Sequence, residues 1–276
     1  MSYLSGRRCL AGSGSSEFAS MFDWQLSMTN AVQTVVASNT SFYELKIPGN
    51  TDWTGSVGFY GALPPVFPGD TLTLKMYVDE SANACWSGDA MCLGFTLDAD
   101  IEGGGVLTGR MTFGGNGAIA PTTGTDSDSS APPKMSCVGL GASWAGSNIA
   151  LRRWSLNYTC DAKTYVDGAS AGVVKRVAGN FKLAGSFEMY EGTPASVLNE
   201  GDTDELLLYT TNGQSPSDYY WRLKYVTLLS AAQAASRQSA DVVGVQYPFE
   251  FSGYKVGSST KGVLSYVGAT TTTKFS

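Results

Sequence analysis

Histidine is absent from this sequence of 276 residues, and with it the imidazole on which most acid–base, nucleophilic and zinc-dependent catalysis relies. The sequence also lacks a phosphate-binding loop with its lysine, and the glycines at 103–105 lack the strand-to-helix context of a nucleotide-binding motif. We therefore expect no enzymatic activity and no cofactor. No apolar run approaches the roughly 20 residues that cross a bilayer, so membrane insertion by this chain is not expected either.

Positive charge is in deficit. The chain has 18 Lys and Arg against 24 Asp and Glu, which gives a net charge of −6 and an isoelectric point near 4.7. Such a protein is not expected to hold nucleic acid through its phosphates, although an acidic surface can face DNA without binding it.

Cysteine is sparse, and its spacing does not indicate a disulfide framework or a metal site. No signal peptide is recognisable ahead of the cysteines, so we expect reduced thiols and synthesis in the cytoplasm. Cys85 and Cys92 form the only near pair, and a metal site would need closer spacing and additional ligands. Buried structural thiols are therefore predicted for the five cysteines Cys9, Cys85, Cys92, Cys137 and Cys160.

The residues that are abundant favour β-structure. The chain has 33 Gly, 14 Tyr and 12 Phe, together with many Thr, Ser and Val, as in proteins built from short strands and tight turns. Apolar and polar residues alternate from Phe22 to Met28 and again from Thr71 to Val78, which is the period of a half-buried strand. We therefore predict a mainly β fold.

The chain contains the same stretch twice, 130 positions apart. Between residues 24–60 and 154–190, ten of 37 aligned positions are identical without a gap, several times the number that composition alone would give. The matched positions include Trp24/Trp154, Leu26/Leu156, Gly49/Gly179, Asn50/Asn180, Gly55/Gly185, Ser56/Ser186 and Tyr60/Tyr190.

The repeat continues beyond this stretch at growing offsets. Residues 68–77 align with 200–209 at an offset of 132, and residues 111–115 with 249–253 at an offset of 138. A period this long predicts two copies of a whole domain rather than a solenoid. The predicted organisation is an N-terminal arm at 1–20, a first domain at 21–119, a flexible linker at 120–148, a second domain at 149–255 and a C-terminal tail at 256–276.

Local patterns give more detailed expectations within each copy. We predict strands at 41–47 and 53–60 around a turn at Gly49 and Asn50, and a hairpin of 92–101 with 106–113 that 219–229 and 241–251 repeat. The alanine-rich segment 230–240 permits a short helix, and a helical turn could begin at Pro194 and end at Gly201. The arm at 1–20 is expected to be ordered only when something binds it.

Three carboxylates, Asp98, Asp100 and Glu102, occupy alternate positions, which project from one face of a strand. They could bind calcium, act as an acid–base pair or coat a solvated surface. The second copy does not keep them, so a shared active site is disfavoured and an acidic face is the preferred interpretation.

The repeated tryptophans allow two interpretations. Aromatic side chains can stack on sugars, which leaves a carbohydrate-binding function open. Trp24 and Trp154 occupy equivalent positions, however, and most simply fill two equivalent cores. The small pairs at Gly55 and Gly185 indicate close approach of strands.

Three features together resemble a known family. They are the segment PGNTDWTGS at 48–56, the Pro68-Gly69-Asp70 turn before an alternating strand, and the hairpin that closes on VLTGRMTFGGNG at 106–117. This layout, carried by each copy, resembles the tail tube proteins, or major tail proteins, of long-tailed bacteriophages. The second copy departs from it in its longer hairpin connection and in lacking an equivalent of Pro68.

The resemblance implies a fold and a function. It implies two tandem β-sandwich or barrel domains of the tail tube type, each with at most a short helix. Six such domains would form a ring, so a duplicated chain is expected to form a trimer with pseudo-sixfold symmetry. Stacked rings would make the hollow tube of the virion tail, with tape measure and terminator proteins as further partners. DNA would pass through without specific binding, and Asp98, Asp100 and Glu102 are candidates for an acidic lumen.

Two alternatives of other classes stay open at this point. One is another β-sandwich component of a virion, such as a distal tail, decoration or fibre protein. The other is a two-domain carbohydrate-binding protein.

Overall fold

The computed structural model describes most of the chain between residues 10 and 275. The described residues are 10–13, 16–18, 21–36, 43–61, 64–78, 84–103, 105–123, 137, 141–169, 172–190, 198–210, 220–234, 244–251, 254–256, 259–261, 264–267 and 272–275. No helix occurs among them, which confirms the mainly β prediction. In particular, this part of the chain holds no helix of the length and apolarity needed to cross a bilayer.

The described residues form 21 strands. Those of the first half are β1 (Leu10–Ser13), β2 (Ser16–Glu17), β3 (Met21–Val35), β4 (Leu45–Tyr60), β5 (Thr71–Tyr77), β6 (Ala84–Asp100) and β7 (Thr108–Thr123). Those of the second half are β8 (Ala142–Trp144), β9 (Ser147–Ile149), β10 (Leu151–Cys160), β11 (Lys163–Tyr165), β12 (Lys175–Val177), β13 (Phe181–Tyr190), β14 (Thr203–Tyr209), β15 (Tyr220–Leu228), β16 (Ala232–Ala234), β17 (Gly244–Phe251), β18 (Tyr254–Val256), β19 (Ser259–Lys261), β20 (Leu264–Val267) and β21 (Thr272–Phe275).

The two halves have the same strand pairing. In β3–β4, Trp24 lies opposite Val57, and 130 residues later in β10–β13, Trp154 lies opposite Phe187. The offset of 130 continues into the hairpin beyond, since the β11–β12 pairing of Lys163 with Val177 repeats that of Gln33 with Ile47. The sequence repeat is therefore a repeat of backbone register.

The third repeated segment has a different register from the predicted one. Gly55 lies opposite Phe113 in β4–β7, and Gly185 lies opposite Phe249 in β13–β17. Phe113 therefore corresponds to Phe249, at an offset of 136, and the predicted offset of 138 is wrong. The error of two residues keeps each side chain on the same face, so the alternating pattern could not reveal it.

One antiparallel sheet runs through both halves. Its strand order is β3–β4–β7–β6–β10–β13–β17, and β17 then pairs with the end of β15 and with β16. The joint between the halves is the pairing of β6 with β10, in which Leu97 lies opposite Leu156. This continuous sheet is called the shared sheet below.

A second layer packs on the shared sheet in each half. In the first half β5 pairs with β1 and with the beginning of β6, whose other side pairs with the end of β7. The Sδ of Met76 on β5 lies 3.7 Å from the position of a Cβ built on Gly55 of β4. The two layers thus enclose apolar side chains, as in a β-sandwich.

The predicted N-terminal arm is part of this layer. Ala11 pairs with Met76, and Ala142 pairs with Leu208 in the equivalent place of the second half. The expectation that 1–20 is ordered only when bound is therefore wrong for β1, whose backbone hydrogen bonds are made to β5 within the chain. Residues 1–9 lie outside the described part.

The ends of the predicted linker and the predicted tail also contain strands. Residues 120–123 finish β7, and β8 and β9 lie at the other end of the predicted linker, where β8 pairs with β14. In the predicted tail, β20 pairs with β15, where Trp221 lies opposite Tyr266. Strand β20 thus has the place beside β15 that the end of β7 has beside the beginning of β6. Most of the linker, at 124–136 and 138–140, lies outside the described residues.

Two local predictions need correction. A single long strand, β4, replaces the two predicted strands, so Gly49 and Asn50 lie within it and not in a turn. They lie beside a register shift between Asn30 and Val32. A Cβ on Gly49 would lie 2.7 Å from the Ala31 carbonyl oxygen, so close approach rather than a turn requires this glycine. In the alanine-rich segment, β16 replaces the helix at 232–234, and 235–240 lie outside the described residues. So do residues 194–197, where the second helical turn was predicted.

The hydrophobic core is continuous across the halves. Phe95 of β6 lies 5.8 Å from Trp221 of β15 between ring centroids, and Phe67 lies 6.3 Å from the same indole. Trp154 is 2% exposed, as predicted for a core residue, whereas Trp24 is only partly buried. The halves share both a sheet and a core, and the division into two tandem domains stays a prediction.

Candidate functional site

The shared sheet has one apolar face and one polar face. Residues opposite one another in an antiparallel sheet lie on the same face, so the register assigns each side chain. Phe95, Leu97 and Ala99 of β6 point into the core, while Thr96, Asp98 and Asp100 are exposed on the other side. The polar side is called the polar face below.

Acidic groups outnumber basic groups on the polar face. The strand register places six carboxylates and three cations there: Asp23, Asp52, Asp98, Asp100, Glu188 and Glu250 with Arg110, Arg153 and Lys182. Arg152 and Arg176 pair with Glu188 and Asp52 of this face from beside it, so six carboxylates meet five cations. The small remaining excess of negative charge disfavours phosphates.

Asp98 and Asp100 lie at the joint between the halves. Asp98 is opposite Ser155 and Asp100 is opposite Arg153, both on β10. They line a shallow depression of about 360 Å³ together with Trp154, Ser186, Glu188 and Gln246. The walls of this depression remove water from one side of Asp98, and this partial burial raises the pKa of its carboxyl.

Glu102 lies beyond the strand that carries the other two carboxylates. Strand β6 ends at Asp100, whose Oδ1 accepts a hydrogen bond from the Gly103 backbone N–H at 2.8 Å. Glu102 sits in the turn that follows and pairs with the Arg152 guanidinium at 2.5 Å. The structure thus places Asp98 and Asp100 on one face of β6, as predicted. Glu102, predicted to share that face, lies in a different environment.

Ion pairs across strands stabilise the polar face at two places that the sequence did not indicate. Arg110 of β7 donates to Asp23 of β3 at 2.6 Å and to the Ser56 hydroxyl at 3.0 Å. Glu188, with a side chain 10% exposed, accepts from Arg153 at 2.5 Å and from Arg152 at 2.9 Å. A register shift between Leu151 and Arg153 lets consecutive arginines reach one carboxylate. Only the strand register could have revealed these partners.

A further contact joins the halves beside the shared sheet. The β11–β12 hairpin returns to the first half, where the Thr51 N–H donates to the Gly172 carbonyl at 2.9 Å. Arg176, with a side chain 6% exposed, donates to both Asp52 oxygens at 2.9 and 2.6 Å and also to the Gly115 carbonyl. A hairpin from one half is thus fixed by an ion pair to the other.

The described thiols are all buried. Cys85, Cys92, Cys137 and Cys160 are free and buried, as predicted for structural cysteines, and Cys9 lies outside the described residues. Burial raises the pKa of the Cys85 and Cys137 thiols, which keeps them protonated and poorly nucleophilic. Among the described residues, no group of three or more acidic or cysteine side chains is arranged to hold a metal ion.

Comparison with known proteins gives no family for this chain. No protein-family model matches the sequence, and no curated protein matches it either.

Proposed function

We propose that the chain is a structural subunit of a virion, whose rings stack into the hollow tail tube of a long-tailed bacteriophage. The observation that carries the proposal is the joint between β6 and β10. Through it, two equivalent halves align edge to edge in one sheet, with a buried apolar face and an open polar face. A sheet built from repeated units joined in this way is suited to continue through further copies.

Closure into a ring also deals with the exposed edge of the sheet. Strand β3 is 15 residues long, and within the described residues it pairs only with β4. A long unpaired edge is an aggregation hazard, which a barrel removes by pairing each edge with a neighbour. Contacts of this head-to-tail kind can close into rings, and rings can stack into filaments.

The dimensions of such a ring fit a conduit for DNA. Each chain contributes eight strand positions to the shared sheet, the eighth being filled by the end of β15 together with β16. A trimer would therefore close a barrel of about 24 strands. With a strand spacing of about 4.8 Å and a tilt of about 40°, the barrel would be roughly 50 Å across between backbones. The polar face would line the bore, where its carboxylates would repel the phosphates of the passing DNA.

The proposal is tested by negative-stain electron microscopy of the purified, concentrated protein, with light scattering on the same sample. Hollow tubes of uniform width, or rings with the mass of three chains, support a tail tube protein. A protein that stays monomeric at all concentrations and binds sugars on a glycan array would instead be a carbohydrate-binding protein. Association into solid or globular particles without a bore would favour a decoration, fibre or distal tail protein.

A further inference from the structure

Two strand edges lack, among the described residues, the partner that the internal repeat would give them. In the first half, the end of β6 pairs with β7 on one side and with β10 on the other. Its equivalent in the second half is β16, because Ala232 lies opposite Gln246 as Thr96 lies opposite Arg110. Within the described residues β16 pairs with β17 alone, so the edge that corresponds to the joint is open.

Strand β3 presents the complementary open edge. It corresponds to β10, whose Trp154, Leu156 and Tyr158 are at most 2% exposed beneath the joint with β6. The equivalent residues of β3 are Trp24, Leu26 and Met28. Trp24 and Leu26 are only partly buried, and Met28 is 54% exposed. The apolar side of β3 thus has the sequence of a covered strand, but no described residue covers it as β6 covers β10.

From these two edges we infer that β3 of one copy pairs with β16 of a second copy of this chain, in the register of the internal β6–β10 joint. The inference rests on the proposed function and specifies the contact by which its rings would close. In the internal joint Asn157 lies opposite Thr96. The equivalent of Asn157 is Ser27, 130 residues earlier, and the equivalent of Thr96 is Ala232, 136 residues later. Ser27 would therefore lie opposite Ala232 of the neighbour. The contact is heterologous, since each copy uses a different edge at each of its two ends.

The repeat also relates the charged residues at the neighbouring hairpin. Arg176 of the β11–β12 hairpin lies against Gly114 of β7, where a side chain would collide with its guanidinium. The equivalents are Lys46, on the hairpin of the first half, and Glu250, on β17. Lys46 has a side chain 57% exposed, and its hydrogen bonds to described residues go to Glu44 and Thr34 of its own hairpin. The equivalent of Asp52 is Lys182, which already pairs with Glu250 at 2.6 Å. In the joined copies Glu250 would therefore lie between Lys182 and Lys46 of the neighbour.

The test is thiol cross-linking of the full-length double variant Ser27→Cys/Ala232→Cys with a short bis-maleimide, after concentration of the protein. Opposite residues in a strand pair have Cβ atoms about 5 Å apart, within reach of the reagent. The expected result on a denaturing gel is a ladder of covalent oligomers that ends at the number of copies in the ring. The wild-type protein shows the background from its own cysteines.

Two matched variants control the geometry. Thr96→Cys/Asn157→Cys carries the internal pair, so it is expected to link within one chain and to give no ladder. Ser27→Cys/Gln233→Cys moves one thiol to the opposite face of its strand, which is expected to reduce cross-linking about tenfold. A ladder of equal strength from this variant would contradict the inferred register.

Electron microscopy of the same samples separates this inference from the proposed function. Rings or tubes without a cross-link between residues 27 and 232 would overturn the inferred contact and leave the tube function standing. A cross-linked ladder without hollow particles would support the contact and overturn the tube function. If neither hollow particles nor a ladder forms, both the contact and the tube function are overturned.

Charge exchange gives a second readout of the contact. Lys46→Glu and Glu250→Lys are each expected to weaken assembly in light scattering, and the double exchange is expected to restore most of it. Single variants that assemble like the wild type would contradict a contact between these two side chains.

Discussion

The Arg176 guanidinium pairs with the Asp52 carboxylate at 2.6 Å, although 124 residues separate them in the chain. This pair fixes a hairpin of the second half to β4 of the first half. Because Arg176 is buried, its loss leaves the Asp52 carboxylate and the Gly115 carbonyl without their charged partner.

Arg176→Ala is therefore expected to lower the free energy of unfolding by about 3 kcal/mol, in the range for breaking a buried pair. Chemical denaturation of the wild type and the variant measures the change. Arg153→Ala is the control, since Arg153 has a side chain 67% exposed and its partner Glu188 keeps Arg152. Its expected cost is below about 1 kcal/mol. Equal losses in the two variants would show that the position of Arg176 between the halves has no special role.

The repeated glycines give a matched pair of substitutions. A Cβ on Gly185 would overlap the Ser155 carbonyl oxygen and the Phe249 ring, whereas a Cβ on Gly55 would meet the Gln25 carbonyl oxygen at 3.4 Å. Gly185→Ala is expected to destabilise the fold by about 2 kcal/mol, as overpacking does. Gly55→Ala is expected to change stability by less than about 0.5 kcal/mol. Thermal unfolding of both variants checks the difference, and a reversed order would contradict the close approach at Gly185.

The raised pKa of Asp98 has a consequence for stability. Because the pKa of this carboxyl is higher in the folded protein than in the unfolded chain, ionised Asp98 destabilises the fold above the folded pKa. Below its ordinary pKa of about 4 the carboxyl is neutral in both states, so the cost disappears. Asp98→Asn is expected to raise the Tm at pH 7 by up to about 2 °C and to leave it unchanged near pH 3. An advantage that grows as the pH falls would contradict the sign.

The acidic excess on the polar face predicts the behaviour of assembled protein toward DNA. Wild-type particles are expected not to retain duplex DNA at physiological salt, because the carboxylates repel its phosphates. Asp98→Lys/Asp100→Lys is expected to give DNA retention that falls steeply with added salt. Filter binding over a salt series measures both. Strong retention by the wild type would contradict a surface that DNA passes without binding.

Some of this structure could be predicted from the sequence, and some could not. The repeat around Trp24 and Trp154, the β6–β7 hairpin and the polar position of Asp98 follow from local patterns. The sequence did not predict β1. Its four residues, which pair with β5, have too little similarity to β8 for the repeat to be recognised there. The joint of Leu97 with Leu156 was missed because pairing between distant strands leaves no local pattern.

The most direct test of the central claim is rotational analysis of end-on electron microscopy images of assembled particles. Because each chain contains two equivalent halves, a ring of three copies is expected to show six similar lobes around an open centre. Finer averages are expected to separate the lobes into two alternating kinds, since the second half has the longer hairpin connection. Rings with another number of lobes, or particles with a filled centre, would contradict the account.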